Sequence, residues 1–215
     1  MEITTIISML LKGMVVSVEI FFLTLLFSLP LGMGVALCRL SKNIVIRNLA
    51  RIYISILRGT PLMLQLFVVY FGPYYIFGWN IGGFRFTAVI IAFVINYAAY
   101  FAEIYRAGIE SIPVGQYEAA RVLGYSRSQT FIKIILPQVI KRVLPPVTNE
   151  VITLIKDTSL AFAIAVSEMF TVAKAISASQ KTMVAFLIAG ILYYIFNLVV
   201  ALMMEKAEKK LRYYR

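Results

Sequence analysis

Two carboxylates seven residues apart, Glu150 and Asp157, bracket Thr153, so on an α-helix all three share one face. Asn149 and Lys156 fall on the neighbouring face, and Ser159 follows just beyond. Two amides, Gln65 and Asn96, interrupt otherwise apolar stretches. A converging set of carboxylates, amides and hydroxyls suits a zwitterionic ligand. An acid would meet an ammonium or guanidinium, and the backbone freed by Pro145 and Pro146 would meet a carboxylate. Gln65, Asn96, Asn149, Glu150, Thr153, Asp157 and Ser159 are therefore the candidate substrate contacts. The structural alternative has Lys156 neutralising Asp157, with Glu150 tied to Arg142 or to a backbone amide. Glu103 and Arg106 are spaced as an i,i+3 ion pair. Glu19 stands without a basic neighbour in its helix turn, facing either a subunit interface or a pathway.

Other chemistry is excluded by what the chain lacks. There is no His, which removes Ser-His and Cys-His pairs and any His metal ligand. The one Cys, Cys38, makes neither an internal disulfide nor a thiolate metal site. No G-x-x-x-x-G-K-[ST] loop is present, so ATP cannot be held in the P-loop manner. Lys156 and Ser159 are an i,i+3 pair, but nothing completes an oxyanion site around them. No catalytic residue, metal or cofactor is expected.

The elements that position these residues belong in a bilayer. Of 215 residues 61% are hydrophobic and only 14% charged, with mean hydropathy +0.86, against 45–50% apolar and about 25% charged in soluble domains. A spanning helix needs roughly 20 mostly apolar residues. Uncharged gaps at 20–38, 59–84, 86–102 and 182–204 meet that need. A fifth segment, 138–157, carries Lys141, Arg142, Glu150, Lys156 and Asp157 and is tolerable only among other helices or along a cavity. The expected fold is an all-α membrane protein with one transmembrane domain over 1–215. Its spans run over roughly 13–38, 59–80, 86–108, 138–157 and 182–204, and 158–175 is re-entrant or peripheral. Gly32 and Gly34 would allow close helix approach. Tyr70, Tyr74, Tyr75, Trp79, Tyr193 and Tyr194 would anchor span ends.

The charge pattern orients this chain. The net charge of +11 fits a membrane protein with basic cytoplasmic loops better than a nucleic-acid binder. The loop after span one holds Arg39, Lys42, Arg47, Arg51 and Arg58; segment 106–142 adds six more basic residues and the tail five, including Arg212 and Arg215. These sit on one side, which puts the N-terminus outside and the C-terminus inside. The tail from Lys209 to Arg212 would meet anionic lipid head groups.

Between spans three and four lies a polar hairpin over roughly 113–130. Pro113 ends the preceding helix, Gly124 supplies a left-handed stop, and Ser126 with Gln129 forms a capping box. It is too polar to span and too well capped to be a slack linker. It reads either as a partnerless surface loop or as a docking element, with Glu118 an oriented charge and Ala119 and Ala120 admitting a partner's groove.

Glu118-Ala119-Ala120, then Gly124, then Ile134-x-Leu136-Pro137, resembles the EAA signature of ATP-binding-cassette importer permeases. Arg58-Gly59-Thr60-Pro61, the stretch from Tyr100 to Ile109, and Thr148-Asn149-Glu150 through Leu160 extend the resemblance to the polar amino acid uptake branch. The family often has an acid before its Gly, where this chain has Leu123. The resemblance implies that the hairpin is a cytoplasmic coupling helix, with Glu118, Ala119, Ala120 and Gly124 docking on a separate ATPase subunit. It also implies a second permease subunit (identical or related), an extracellular or periplasmic amino-acid-binding protein, a polar amino acid as substrate, and the cell membrane of a prokaryote. The Glu150 and Asp157 pair favours a basic amino acid. The competing readings are a carrier driven by an ion gradient through Glu150 and Asp157, and a His-free membrane-embedded hydrolase.

Overall fold

The computed structural model describes residues 2–211, so Arg212 and Arg215 of the basic tail lie outside the described residues. Those residues are helical, with no strand among them. Three helices are each long and apolar enough to cross a membrane: α1 (Ile3–Arg39), α4 (Arg85–Glu110) and α9 (Val184–Leu211). Two bent pairs raise the number to as many as five if each is one span.

The first long helix differs from its expected start at residue 13. At about 1.5 Å per residue, the 37 residues of α1 reach roughly 55 Å, well beyond the ~30 Å hydrocarbon core. Lys12 and Glu19 are carried on its exposed side, so neither charge interrupts it. Its contact with α4 is close at Gly32, where an added Cβ would lie 2.8 Å from Phe101 Cβ and 3.0 Å from the Ala98 carbonyl. Gly34 has open space around it and serves no such contact here.

The expected loop after span one is mostly helix. Asn43 caps α2 (Ile44–Gly59), accepting from the backbone N–H groups of Val45 and Ile46 at 2.9 and 3.4 Å. Ala50 and Ile54 pack inward while Leu49, Ile52 and Ile56 face outward. The chain then bends by 109° across Thr60 and Pro61 into α3 (Leu62–Phe77). With 16 residues, α3 is about 24 Å long, so the run expected over 59–80 is shorter than a span.

The polar fourth segment also differs. Its helix starts below residue 138 and continues past Asp157, from α6 (Arg127–Thr130) through a π-helical turn at Phe131–Ile135 into α7 (Leu136–Asp157) and a 3₁₀ stretch at Thr158–Ile164. The apolar run after Asp157 thus prolongs α7 before the chain turns by 57° into α8 (Met169–Gln180). The described helix at the C-terminal end, α9, buries only Ala185 and Ala189 and exposes Leu187, Ile191, Ile195, Leu198 and Leu202. An apolar helix exposed in this way needs lipid or another subunit around it.

The larger core gathers Phe93, Tyr97 and Phe101 of α4 with Leu154 and Ile155 of α7 and Ile20 of α1. A second cluster joins Ile6 and Leu10 of α1, Met169, Ala173 and Ile176 of α8, and Ala185 and Ala189 of α9. Glu168, fully buried, caps α8 beside this cluster. Its carboxylate accepts from the N–H groups of Phe170 and Thr171 (both 2.7 Å), the Thr171 hydroxyl (2.8 Å) and the Tyr193 hydroxyl (3.1 Å). Tyr193 is therefore an interior donor and not an anchor at a span end. Tyr70 is likewise buried, its hydroxyl 3.3 Å from Arg85 Nε.

Candidate functional site

Two features are built for interaction. One is the hairpin, whose first helix, α5 (Val114–Val122), begins after Pro113. Gly124 takes φ +78°, and the Tyr125 N–H bonds back to the Ala120 carbonyl at 3.0 Å, closing the turn. Ser126 and Gln129 then cap α6 reciprocally, at 2.9 and 3.3 Å. Gln138 of α7 donates to Gln116 of α5 at 3.2 Å, and the Lys133 ammonium lies 6.0 Å over the Tyr125 ring. The hairpin is thereby fixed to the base of α7.

Its outer surface differs from what small residues alone suggest. Glu118 and Ala119 are exposed, whereas Ala120 is only 1% exposed and packs inward. Val114, Val122 and Leu123 are 69%, 87% and 73% exposed. These apolar side chains on a polar, capped hairpin are left uncovered by the rest of the chain. The spacing reading singled out Glu118, Ala119 and Gly124 but missed these three, because exposure of single apolar residues has no sequence signature.

The second feature is a cleft between the end of α2, α4 and α7, with a volume of about 470 Å³. Glu150 lines it together with Arg58, Tyr100, Glu103 and Arg142. The charges are disposed unequally. Arg106 reaches back to Glu103 and forward to Glu110, which realises the expected i,i+3 pair. Arg142 donates to the carbonyl and hydroxyl of Ser111, so it does not tie down Glu150. Asp157 accepts from the Tyr97 hydroxyl at 2.7 Å and makes no ion pair with Lys156 among the described residues.

The two amides serve one another. Asn96 Nδ2 donates to Gln65 Oε1 at 2.9 Å and to the Leu57 carbonyl at 3.1 Å. Gln65 Nε2 donates to the Leu57 carbonyl (2.9 Å), the Thr60 carbonyl (3.0 Å) and the Thr60 hydroxyl (2.8 Å). Together they clamp the bend between α2 and α3 onto α4. Thr153 returns its hydroxyl to the Asn149 carbonyl at 2.9 Å and Ser159 to the Lys156 carbonyl at 2.7 Å, while Asn149 is exposed. The structure thus brings Glu150 to the cleft, pairs Asp157 with Tyr97, and spends Gln65 and Asn96 inside the fold.

One expectation fails on elementary grounds. Pro145 and Pro146 each lack an N–H, so what they free in the helix is a carbonyl, that of Lys141 or Arg142. Carbonyls accept hydrogen bonds and suit an ammonium, and they offer a carboxylate nothing.

Comparison with known proteins follows the same lines. Over residues 28–213 the sequence matches the family described as binding-protein-dependent transport system inner membrane component. It is 36% identical to an L-cystine transport system permease protein of Bacillus subtilis (strain 168), over 94% of this chain and 86% of that one. It is 35% identical to an arginine transport system permease protein of the same organism, over 94% and 92%. A nopaline transport system permease protein of Agrobacterium fabrum is 37% identical, over 93% and 86%. Among solved structures, an amino acid ABC transporter crystallised with histidines superposes with TM-score 0.88 at 30% identity, covering 98% of this chain and 99% of that one. An inward-facing methionine ABC transporter shares the fold, with TM-score 0.78 at 18% identity over 98% and 99%.

Proposed function

From its membership of the binding-protein-dependent transport system inner membrane components, the family to which this chain belongs, we propose a permease subunit that moves a polar amino acid, the basic ones included, across the inner membrane. The chain is a multi-pass membrane subunit of an ATP-binding-cassette importer, and ATP is hydrolysed by a separate subunit. The relatives named above carry cystine, arginine and nopaline in their names, all amino acids or their derivatives, which supports that substrate class. Glu150 and Asp157 lean the choice toward a cationic one.

In this reading the chain crosses five times, counting each bent pair once, with its N-terminus outside and its C-terminus in the cytoplasm. Glu118, Ala119 and Gly124 hold the hairpin in the cleft of the ATPase, with Ala120 fixing it from within. Glu150, Thr153 and Asp157 face the substrate, together with Asn149 and Ser159, while Gln65 and Asn96 shape the wall behind. A second permease subunit, identical or related, covers the exposed apolar surface, and a binding protein delivers substrate from outside.

The observation that carries the reading is the continuous helix from Arg127 to Ile164, which joins a rigid docking hairpin to the acidic face. Reconstitution with the ATPase and the binding protein tests it. Uptake of a polar amino acid into vesicles should require ATP and persist when ion gradients are collapsed; uptake that follows the gradient and ignores ATP would refute it. Cysteine at position 119 in a Cys38→Ser background should crosslink to the ATPase.

A further inference from the structure

We propose that Arg58 anchors the carboxylate of the transported amino acid across the cleft from Glu150, which receives its ammonium; this rests on the amino-acid reading above. The cleft is walled by two arginines and two glutamates. Glu103 is held by Arg106, and Arg142 is occupied by Ser111. Arg58 and Glu150 remain, and neither makes a hydrogen bond or ion pair among the described residues. Each lies in the field of the other. A cation and an anion without a direct polar partner, on the walls of one 470 Å³ cleft where Arg58 also lies in the field of Glu103, match the two ends of a zwitterion.

The guanidinium is placed for the task. Its Cζ lies 5.2 Å from the centroid of the Tyr100 ring. A cation–π contact uses none of the guanidinium N–H donors, so its fork stays free for a carboxylate, which it matches with two parallel bonds. The residue before it, Leu57, gives its carbonyl to both Gln65 and Asn96. The amide clamp therefore positions Arg58, which explains why two buried amides sit at this bend. No competing donor set is available at Pro145 and Pro146, where the backbone offers carbonyls.

The test uses the permease assembled with its ATPase in nanodiscs without the binding protein, so that selectivity belongs to the membrane subunits. Calorimetry compares L-arginine with agmatine, and L-glutamine with 4-aminobutanamide, each second compound lacking the carboxylate. Wild type should prefer the amino acid of the pair it binds. Arg58→Gln should weaken binding of that amino acid by roughly 10- to 100-fold while leaving its decarboxylated partner unchanged or tighter. Arg58→Lys should restore part of the preference. Retained binding of the decarboxylated compound shows that the variant is folded. Equal weakening of both members of a pair, or tighter binding of the amino acid, overturns the role of Arg58. If Arg58→Gln behaves as expected but Glu150→Gln leaves affinity intact, the ammonium half of the proposal is overturned. A wild type that binds neither these probes nor any other member of a panel of polar amino acids overturns the amino-acid reading and this inference with it.

Discussion

Replacing Glu168 by Gln exchanges one oxygen for an NH₂ group and hardly changes the side chain's size or shape, yet it should destabilise the protein strongly. Both carboxylate oxygens are used: Oε1 accepts from the Thr171 N–H and hydroxyl, and Oε2 from the Phe170 N–H and the Tyr193 hydroxyl. Hydroxyls can turn to accept, but backbone N–H groups cannot. Whichever way a Gln amide is turned, its NH₂ faces one fixed N–H at a distance that suits a bond to oxygen. One charge-assisted bond is lost and a buried donor is orphaned, which costs about 2–4 kcal/mol. For a chain of this size each kcal/mol lowers Tm by roughly 2–4 °C, giving a fall of about 5–15 °C. Thermal unfolding of the detergent-purified protein, followed by fluorimetry, reads this directly. Tyr193→Phe removes a single hydroxyl bond and should cost only ~1 kcal/mol. Should Glu168→Gln melt within a degree of wild type, or Tyr193→Phe prove equally damaging, the carboxylate is not the acceptor that joins α8 to α9.

Three further changes probe the other features. Ala119→Trp adds bulk to an exposed surface, so the melting of the isolated permease should stay unchanged while ATP-driven uptake is lost, as measured in reconstituted vesicles. Gly32→Ala places a methyl 2.8 Å from Phe101 Cβ and should lower Tm by several degrees because α1 and α4 must separate. Asn96→Leu strips Gln65 Oε1 of its donor and removes one bond from the Leu57 carbonyl; a loss of about 2–3 kcal/mol is expected in the same melt.

The apolar run that opens after Arg85 pointed to α4, and the helix continues past Glu103 to Glu110 with Glu103 held by Arg106. Hydropathy failed where charge and burial part company. In α1, Lys12 and Glu19 stay on the exposed side of a helix that runs on past them. In α2, three basic side chains hid an amphipathic helix capped by Asn43. Local chemistry was the better guide at the hairpin, where Gly124 and the Ser126–Gln129 box appear as their residue types dictate. Which polar groups spend themselves on one another was not legible, because Gln65 meets Asn96 across 31 positions and Tyr97 meets Asp157 across 60. Glu168 gave no signal either: a single acid in an apolar stretch shows its meaning only when the turn that it caps has formed.

The unbroken helical run through α7 has a mechanical consequence. From Thr130 to Glu150 it is about 30 Å, and to Asp157 about 40 Å, at 1.5 Å per residue. A tilt of some 10° about the hairpin end therefore sweeps Asp157 sideways by about 7 Å and Glu150 by about 5 Å. Small rotations at the base would become ångström-scale displacements at the carboxylates, and the farther one would travel more.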